Sequence, residues 1–205
     1  MGGDYYEFLE LPDGRLGIAI GDASGKGVSA AFTMASLEAS LRALASVIRD
    51  PAELMASVNS FVCQASASNR YATLFYAEYD PAARRLTYVN AGHNPPVVVR
   101  NSAGSAQVLR LETGGAVVGF LPQKYQRGVF CHEPGDLMVL FTDGVTESMN
   151  MREEDWGEER MIELATSYIG LPALEVMKRI MAAAQAFAAG APQHDDMTLV
   201  VLRVT

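Results

Sequence analysis

Residues 71–90 read YATLFYAEYDPAARRLTYVN, a segment in which two apolar runs flank a short polar turn. The runs at 73–79 and 86–90 are rich in aromatic and β-branched residues, and the turn from Asp80 to Arg84 contains Asp and Pro. Short connections of this kind join antiparallel strands, because parallel strands need a long crossover. The segment therefore predicts two neighbouring strands of an antiparallel sheet.

Segments of the same strand-like character lie on both sides of this hairpin. Two of them flank the turn signal Pro12-Asp13-Gly14-Arg15, and the others follow the hairpin after short glycine-containing or polar breaks. The predicted strands are 5–11, 16–20, 97–99, 126–132, 137–142 and 197–204.

Helical segments separate some of these strands. Apolar residues recur at helical spacing from Val28 to Ile48. Asp50-Pro51 then has the pattern of an N-cap followed by Pro at the first helical position, which predicts a second helix. The acidic segment after Asn150 is predicted to be a loop, and the segment from Leu171 to Ala188 a helix. Hairpins with helices inserted among them predict the α+β class, since a parallel sheet requires strict alternation of strand and helix.

The composition is that of one ordinary globular domain. The chain has 205 residues, of which 49% are hydrophobic and 20% charged. A net charge of -8 without a Lys/Arg cluster argues against nucleic acid as a partner. No run reaches the roughly 18 apolar residues of a membrane span, and the first residues do not have the pattern of a leader peptide. We therefore expect a cytoplasmic protein that binds neither nucleic acid nor membrane.

Aspartates recur beside glycine where predicted strands begin or end. A carboxylate is a hard oxygen donor suited to magnesium or manganese, and an adjacent glycine lets backbone carbonyls approach closely. A single Asp-Gly pair is ordinary turn chemistry, and we interpret Asp13-Gly14 in that way. The others adjoin apolar strands, whose ends can converge at one edge of a sheet. These aspartates are Asp4, Asp22, Asp143 and the pair Asp195-Asp196.

Several carboxylates in one site require cations, because like charges a few Å apart raise one another's pKa values. Two divalent ions roughly 3.5–4 Å apart would remove this repulsion, lower the pKa of a shared water and orient it for attack on phosphorus. Hydrolysis by this route needs no nucleophile from the protein. The sequence therefore indicates metal-assisted phosphoryl chemistry.

Two further motifs have more than one interpretation. The segment GDASGKG at 21–27 lacks the spacing of a nucleotide-binding phosphate loop. Its glycines either steer an anion towards the following helix or permit a sharp turn, and we favour the turn. His93 is a candidate proton donor, metal ligand or structural hydrogen-bonding group, with the structural role favoured. His194 adjoins the Asp pair and is a candidate partner for the ligands.

Six motifs follow one another along essentially the whole chain: GGDYY at 2–6, GDASGKG at 21–27, YATL at 71–74, NAGH at 90–93, TDGVTE at 142–147 and DDMTLV at 195–200. Taken in this order, they resemble the PPM superfamily of metal-dependent phosphatases, and within it the bacterial SpoIIE/RsbU-type branch. The ordered set is much more specific than any single motif.

The resemblance implies an α-β-β-α sandwich of two antiparallel sheets flanked by helices. It also implies a site for two ions of Mn²⁺ or Mg²⁺. By motif position, Asp22 is similar to the ligand that bridges both metals, and the Ala23 backbone carbonyl to a ligand of one of them. Asp143 and Asp195 are similar to the remaining direct ligands.

Two other aspartates also match positions of the family pattern. Asp4 is similar to the carboxylate that holds metal-bound water, and Asp196 competes with Asp195 for the direct-ligand position. The chain also departs from the family pattern: Glu7 stands where the branch commonly has Asp. Ser24 stands where eukaryotic-type relatives have His, which leaves the leaving-group acid unassigned.

The resemblance further implies a biological role. The expected substrate is a phosphorylated protein, often a STAS-type anti-sigma-factor antagonist of a partner-switching pathway. The helices from Val28 to Ser68 resemble the element through which upstream regulatory domains control the metal site. We accordingly expect residues 1–205 to form a single phosphatase domain, the C-terminal part of a longer regulatory protein.

Two other functions are compatible with parts of the sequence. A catalytically weak phosphatase-like module that binds a partner or senses a signal would carry the same motifs. A cyclic-dinucleotide synthase is indicated only by Gly2-Gly3-Asp4, without the Glu-Phe that should follow, and is disfavoured.

Overall fold

The computed structural model describes residues 3–25, 27–65, 70–102 and 105–205. Gly2, Lys26 and Ser68, which belong to motifs or segments discussed above, lie outside these ranges. The elements are β1 (Asp4–Glu10), β2 (Leu16–Ala23), α1 (Val28–Ala45), α2 (Pro51–Ala65), β3 (Ala72–Asp80), β4 (Arg85–Ala91), β5 (Val97–Ser102), β6 (Ser105–Arg110), β7 (Gly114–Gly115), β8 (Gly128–Cys131), β9 (Leu137–Phe141), α3 (Asp143–Thr146), α4 (Glu158–Ser167), α5 (Ala173–Ala188) and β10 (Leu199–Arg203).

The chain divides into two compact units. The first comprises the residues up to Pro95 together with Leu111–Cys131, and the second comprises Pro96–Arg110 and His132–Thr205. The sheet of the first unit has the strand order β1-β2-β3-β4-β7, and β8 also pairs with β4. The sheet of the second unit has the order β10-β9-β5-β6. All pairings are antiparallel except the short one between β4 and β7.

In the first unit, α1 and α2 pack on one face of the sheet. Alternation along β2 directs Ala19 and Ala23 towards these helices, whereas the side chains of Ile18 and Ile20 lie on the opposite face and are also buried. As the sequence predicts, α2 begins after Asp50, whose Oδ1 accepts the backbone N–H of Ala52 at 2.8 Å. A sheet buried on both faces is a rigid support for residues at its strand ends.

The second unit has its own core, in which α4 and α5 contribute Met161, Ala165 and Ile180 beside Val139 of β9. The prediction of a loop directly after Asn150 is wrong for residues 158–167, which form α4. The acidic residues of its first turn are stabilised by the partial positive charge at the N-terminus of a helix. Met161 and Ala165, four residues apart, lie on one face of the helix, and that face is buried.

The α+β class predicted from the sequence is confirmed, with two sheets and helices that cover a face of each. Across the described ranges, no helix combines the length and the apolar character that crossing a lipid bilayer requires.

Candidate metal centre

The last residues of β2 carry the first part of the candidate site. Asp22 lies directly opposite Asp4 of β1 on one side and opposite Thr73 of β3 on the other. Residues that face each other across an antiparallel ladder place their side chains on the same face of the sheet. The structure thus brings Asp4 and Asp22 together on the face that also carries Ile18 and Ile20.

The segment before β1 passes very close to Asp22 and Ala23. A Cβ atom at Gly3 would lie 2.4 Å from Oδ1 of Asp22 and 3.0 Å from the carbonyl oxygen of Ala23. The Ala23 N–H donates a hydrogen bond to the Gly3 carbonyl at 3.1 Å. The two oxygen atoms therefore lie close to the position that a Cβ of residue 3 would take. Glycine leaves this position open. Carboxylate and carbonyl oxygens are the donors that Mg²⁺ and Mn²⁺ prefer, so this half of the site fits such an ion.

A partly buried hydrogen-bond network supports the backbone of Asp22. The Asp22 N–H donates to Oγ1 of Thr73 at 3.2 Å, and the same hydroxyl lies 2.9 Å from Nδ1 of His93. His93 is 6% exposed, and Asn90 holds it by accepting its backbone N–H at 2.8 Å and donating to its carbonyl at 3.0 Å. Of the roles proposed for His93, the structural one agrees with these contacts.

The second part of the site lies where β9 ends and β10 begins. The Thr142 N–H donates to the Thr198 carbonyl at 3.1 Å, and the Thr198 N–H donates to Oγ1 of Thr142 at 3.0 Å. A Cβ at Gly144 would lie 1.9 Å from the Asp196 carbonyl oxygen, so position 144 requires glycine. These contacts hold the turn that carries Asp143 beside the segment that carries Asp195 and Asp196.

Glu147 joins this acidic group. Partial burial and then the negative charges of Asp143, Asp155 and Asp195 raise the pKa of the Glu147 carboxyl above its ordinary value. Sequence reasoning assigned no role to Glu147. Its position four residues after Asp143 was the available signal, because the intervening residues form the single turn of α3.

The candidate residues therefore fall into two sets. Asp4, Asp22 and Ala23 belong to the first unit, and Asp143, Asp195 and Asp196 to the second. Among the residues that the structure describes, no group of three or more His, Cys, Asp or Glu side chains lies close enough together to hold a metal ion. The complete two-metal site remains a prediction that joins these two sets.

Comparisons with known proteins agree with the motif pattern. The model of the family described as Stage II sporulation protein E (SpoIIE) matches residues 12–205. The chain is 33% identical over 210 residues to the phosphoserine phosphatase RsbU of Bacillus subtilis, and the match covers 99% of this chain and 59% of RsbU.

Two solved structures have the same fold. The RsbU and RsbW domains of Rv1364c from Mycobacterium tuberculosis match with a TM-score of 0.79 and 27% identity, over 99% of this chain and 55% of that one. The SiaA-PP2C domain of Pseudomonas aeruginosa matches with a TM-score of 0.81 and 21% identity, over 100% of this chain and 81% of that one. The predicted PPM phosphatase fold is confirmed. The chain spans little more than half the length of RsbU and of the solved chain that contains the RsbU and RsbW domains of Rv1364c.

Substitution Gly3→Ala should weaken Mn²⁺ binding by about 10- to 100-fold, because the added methyl group displaces the Asp22 carboxylate and the Ala23 carbonyl. Isothermal titration calorimetry with MnCl₂ measures the change. Gly170→Ala is the matched control, since a Cβ at Gly170 meets no atom within 4 Å. Equal Mn²⁺ affinity in both variants would contradict a role for these oxygens.

Substitution Glu147→Gln should raise the melting temperature of the metal-free protein at neutral pH. A carboxyl whose folded-state pKa is raised binds more protons in the folded state, so stability falls as the pH rises from the ordinary glutamate pKa through the raised one. The difference in melting temperature between the variant and wild type should be full above the raised pKa and should disappear below the ordinary glutamate pKa. Thermal melts in EDTA at a series of pH values test this, with the exposed α4 substitution Glu163→Gln as control. The same pH dependence in wild type and Glu147→Gln would exclude the effect.

Proposed function

This chain belongs to the SpoIIE family of PPM phosphatases, and on that premise we propose that it hydrolyses phosphoserine or phosphothreonine on a protein substrate in a metal-dependent reaction. The observation that carries the proposal is the approach of the Asp22 carboxylate and the Ala23 carbonyl to one point over Gly3. In the family pattern, a carboxylate and a carbonyl at these two adjacent positions are metal ligands. We further propose that residues 1–205 act as one phosphatase domain.

We assign the residues to roles as follows. Asp22 and the Ala23 carbonyl would hold the ions from the first unit, and Asp143 with Asp195 or Asp196 would complete the ligand set. Asp4, opposite Asp22 in the ladder, would hold a water molecule at the site. Two ions of Mn²⁺ or Mg²⁺, when bound, would supply Lewis-acid activation of water and neutralisation of the phosphoryl oxygens.

The hydrogen bonds around Asp22 give these roles a structural basis. Thr73 and His93 fix the backbone of Asp22, so that its carboxylate would take up a cation with little reorganisation. On the second unit, the Thr142–Thr198 contacts do the same for Asp143 and the Asp195-Asp196 segment. Preorganisation of this kind is what a reaction driven by charge stabilisation requires.

The relatives favour a place in partner switching. RsbU is named a phosphoserine phosphatase, and the Mycobacterium protein carries an RsbU domain together with an RsbW domain. We propose a phosphorylated STAS-domain anti-sigma-factor antagonist as the substrate and an upstream regulatory domain as the controlling partner, in the cytoplasm and without nucleic acid or membrane as a partner. The alternative, a module that binds the same partner without appreciable turnover, differs in the outcome of the assay below.

Substitutions Asp22→Asn and Asp143→Asn should each reduce turnover of a phosphoserine protein by at least about 100-fold in the presence of Mn²⁺, because each removes a charged metal ligand. Their melting temperatures in EDTA should equal or exceed that of wild type, since removal of one charge relieves repulsion. Phosphate release and thermal melts measure both effects.

The matched control is Asp13→Asn. Asp13 lies in a turn at a φ of 66°, a conformation that Asn tolerates as well as Asp. The Asp13→Asn variant should therefore retain full activity. Full activity in Asp22→Asn or Asp143→Asn would contradict the assignment of that residue. Mn²⁺ binding without turnover by wild type would favour the non-catalytic module.

A further inference from the structure

Four arginines contribute half of the lining residues of a small cavity in the first unit. Its volume is about 150 Å³, and four of the chain's 16 Lys and Arg residues line it together with Glu78 and Asp80. The four are Arg15, Arg49, Arg85 and Arg127. Arg15 immediately precedes β2, whose other end carries Asp22, so at about 3.3 Å per residue the cavity lies roughly 20 Å along the strand from the candidate metal ligand.

The two acidic residues of the cavity are already engaged. One oxygen of Glu78 forms an ion pair with Arg15, and the other accepts a hydrogen bond from the Tyr76 hydroxyl at 3.1 Å. Oδ1 of Asp80 accepts the backbone N–H of Ala83 at 3.0 Å, which orients it towards the turn after β3. The ion pair with Arg15 reduces the repulsion that a bound anion would meet from Glu78.

The arginines, in contrast, retain donors. A guanidinium has five N–H groups, and the Arg85 side chain, exposed at the start of β4, forms no ion pair with a carboxylate of the described residues. Arg49 is bound to Asp13 only through an exposed pair at 3.2 Å, with side-chain exposures of 73% and 64%, a type of contact that contributes little. Arg127 contacts one oxygen of Asp50, which also caps α2.

We propose that this cavity binds a phosphate group. Guanidinium groups match the tetrahedral oxygens of phosphate through paired hydrogen bonds, and several of them here converge on one space. A water molecule occupies about 30 Å³ in the liquid, and pockets for larger organic ligands measure roughly 300–1,000 Å³. The cavity therefore has room for a single phosphate group.

The elements that contribute the arginines indicate what binding would do. Arg15, Arg85 and Arg127 belong to the sheet or its adjoining segments, whereas Arg49 lies in the connection between α1 and α2. A bound phosphate would link this connection to the sheet through charge-assisted hydrogen bonds. The same chemistry is offered by free inorganic phosphate, the product of phosphomonoester hydrolysis, and by a phosphorylated side chain of a protein.

The test is calorimetric titration of inorganic phosphate into the whole 205-residue chain in EDTA, which prevents phosphate from binding through metal ions. Wild type should show saturable binding with a Kd near the millimolar range, and Arg85→Gln should weaken it by about tenfold or more through loss of charged hydrogen bonds. Arg127→Gln should weaken it similarly. The matched control is Arg84→Gln, which removes the same charge one residue away at a position that does not line the cavity, and it should bind as wild type does.

A second titration, with a short phosphoserine peptide, separates the sources of phosphate. Tighter binding of the peptide than of phosphate, also lost in Arg85→Gln, would identify a protein-borne group, and binding of phosphate alone would identify the free anion. Absence of binding of both probes to wild type, or equal weakening in Arg84→Gln and Arg85→Gln, would overturn the proposal. Both titrations measure binding and not turnover. Their result is therefore independent of the proposed hydrolysis, which is tested separately.

Discussion

The candidate metal centre depends on two close approaches of the backbone. At each of them a Cβ atom would clash, so the position requires glycine. In the first unit, Gly3 passes over the Asp22 carboxylate and the Ala23 carbonyl; in the second, Gly144 lies against the carbonyl of Asp196. Each close approach brings oxygen donors to a strand end that is supported by a buried sheet. Within each unit, the backbone therefore determines where the candidate ligands lie.

Carboxylates gathered in one site repel one another, because each negative charge makes the ionisation of its neighbours less favourable. The raised pKa of Glu147 beside Asp143, Asp155 and Asp195 is a local sign of this repulsion. Divalent cations would convert the repulsion into attraction, which links the stability of the site to its proposed chemistry.

The local features of the fold and the ligand candidates could be predicted from the sequence. Alternating apolar residues identified most strands, the Asp50-Pro51 pair located the start of α2, and the Asp-Gly motifs located Asp22 and Asp143. Helix α4 was missed because its acidic first turn, which favours a helix N-terminus, has the composition of a loop. The support of Asp22 by Thr73 was also missed, because strand register joins residues 51 positions apart. Such pairings depend on the whole sheet, and no local pattern encodes them.

We propose that acidic residues from both units hold divalent ions together. A crystal structure with Mn²⁺, with the ions located by anomalous scattering, tests this proposal most directly. Two anomalous peaks are expected, both contacted by Asp22 and one of them also by the Ala23 carbonyl, with Asp143 and Asp195 or Asp196 among the other ligands. Peaks at unrelated surface positions, or bound to residues of one unit only, would contradict it.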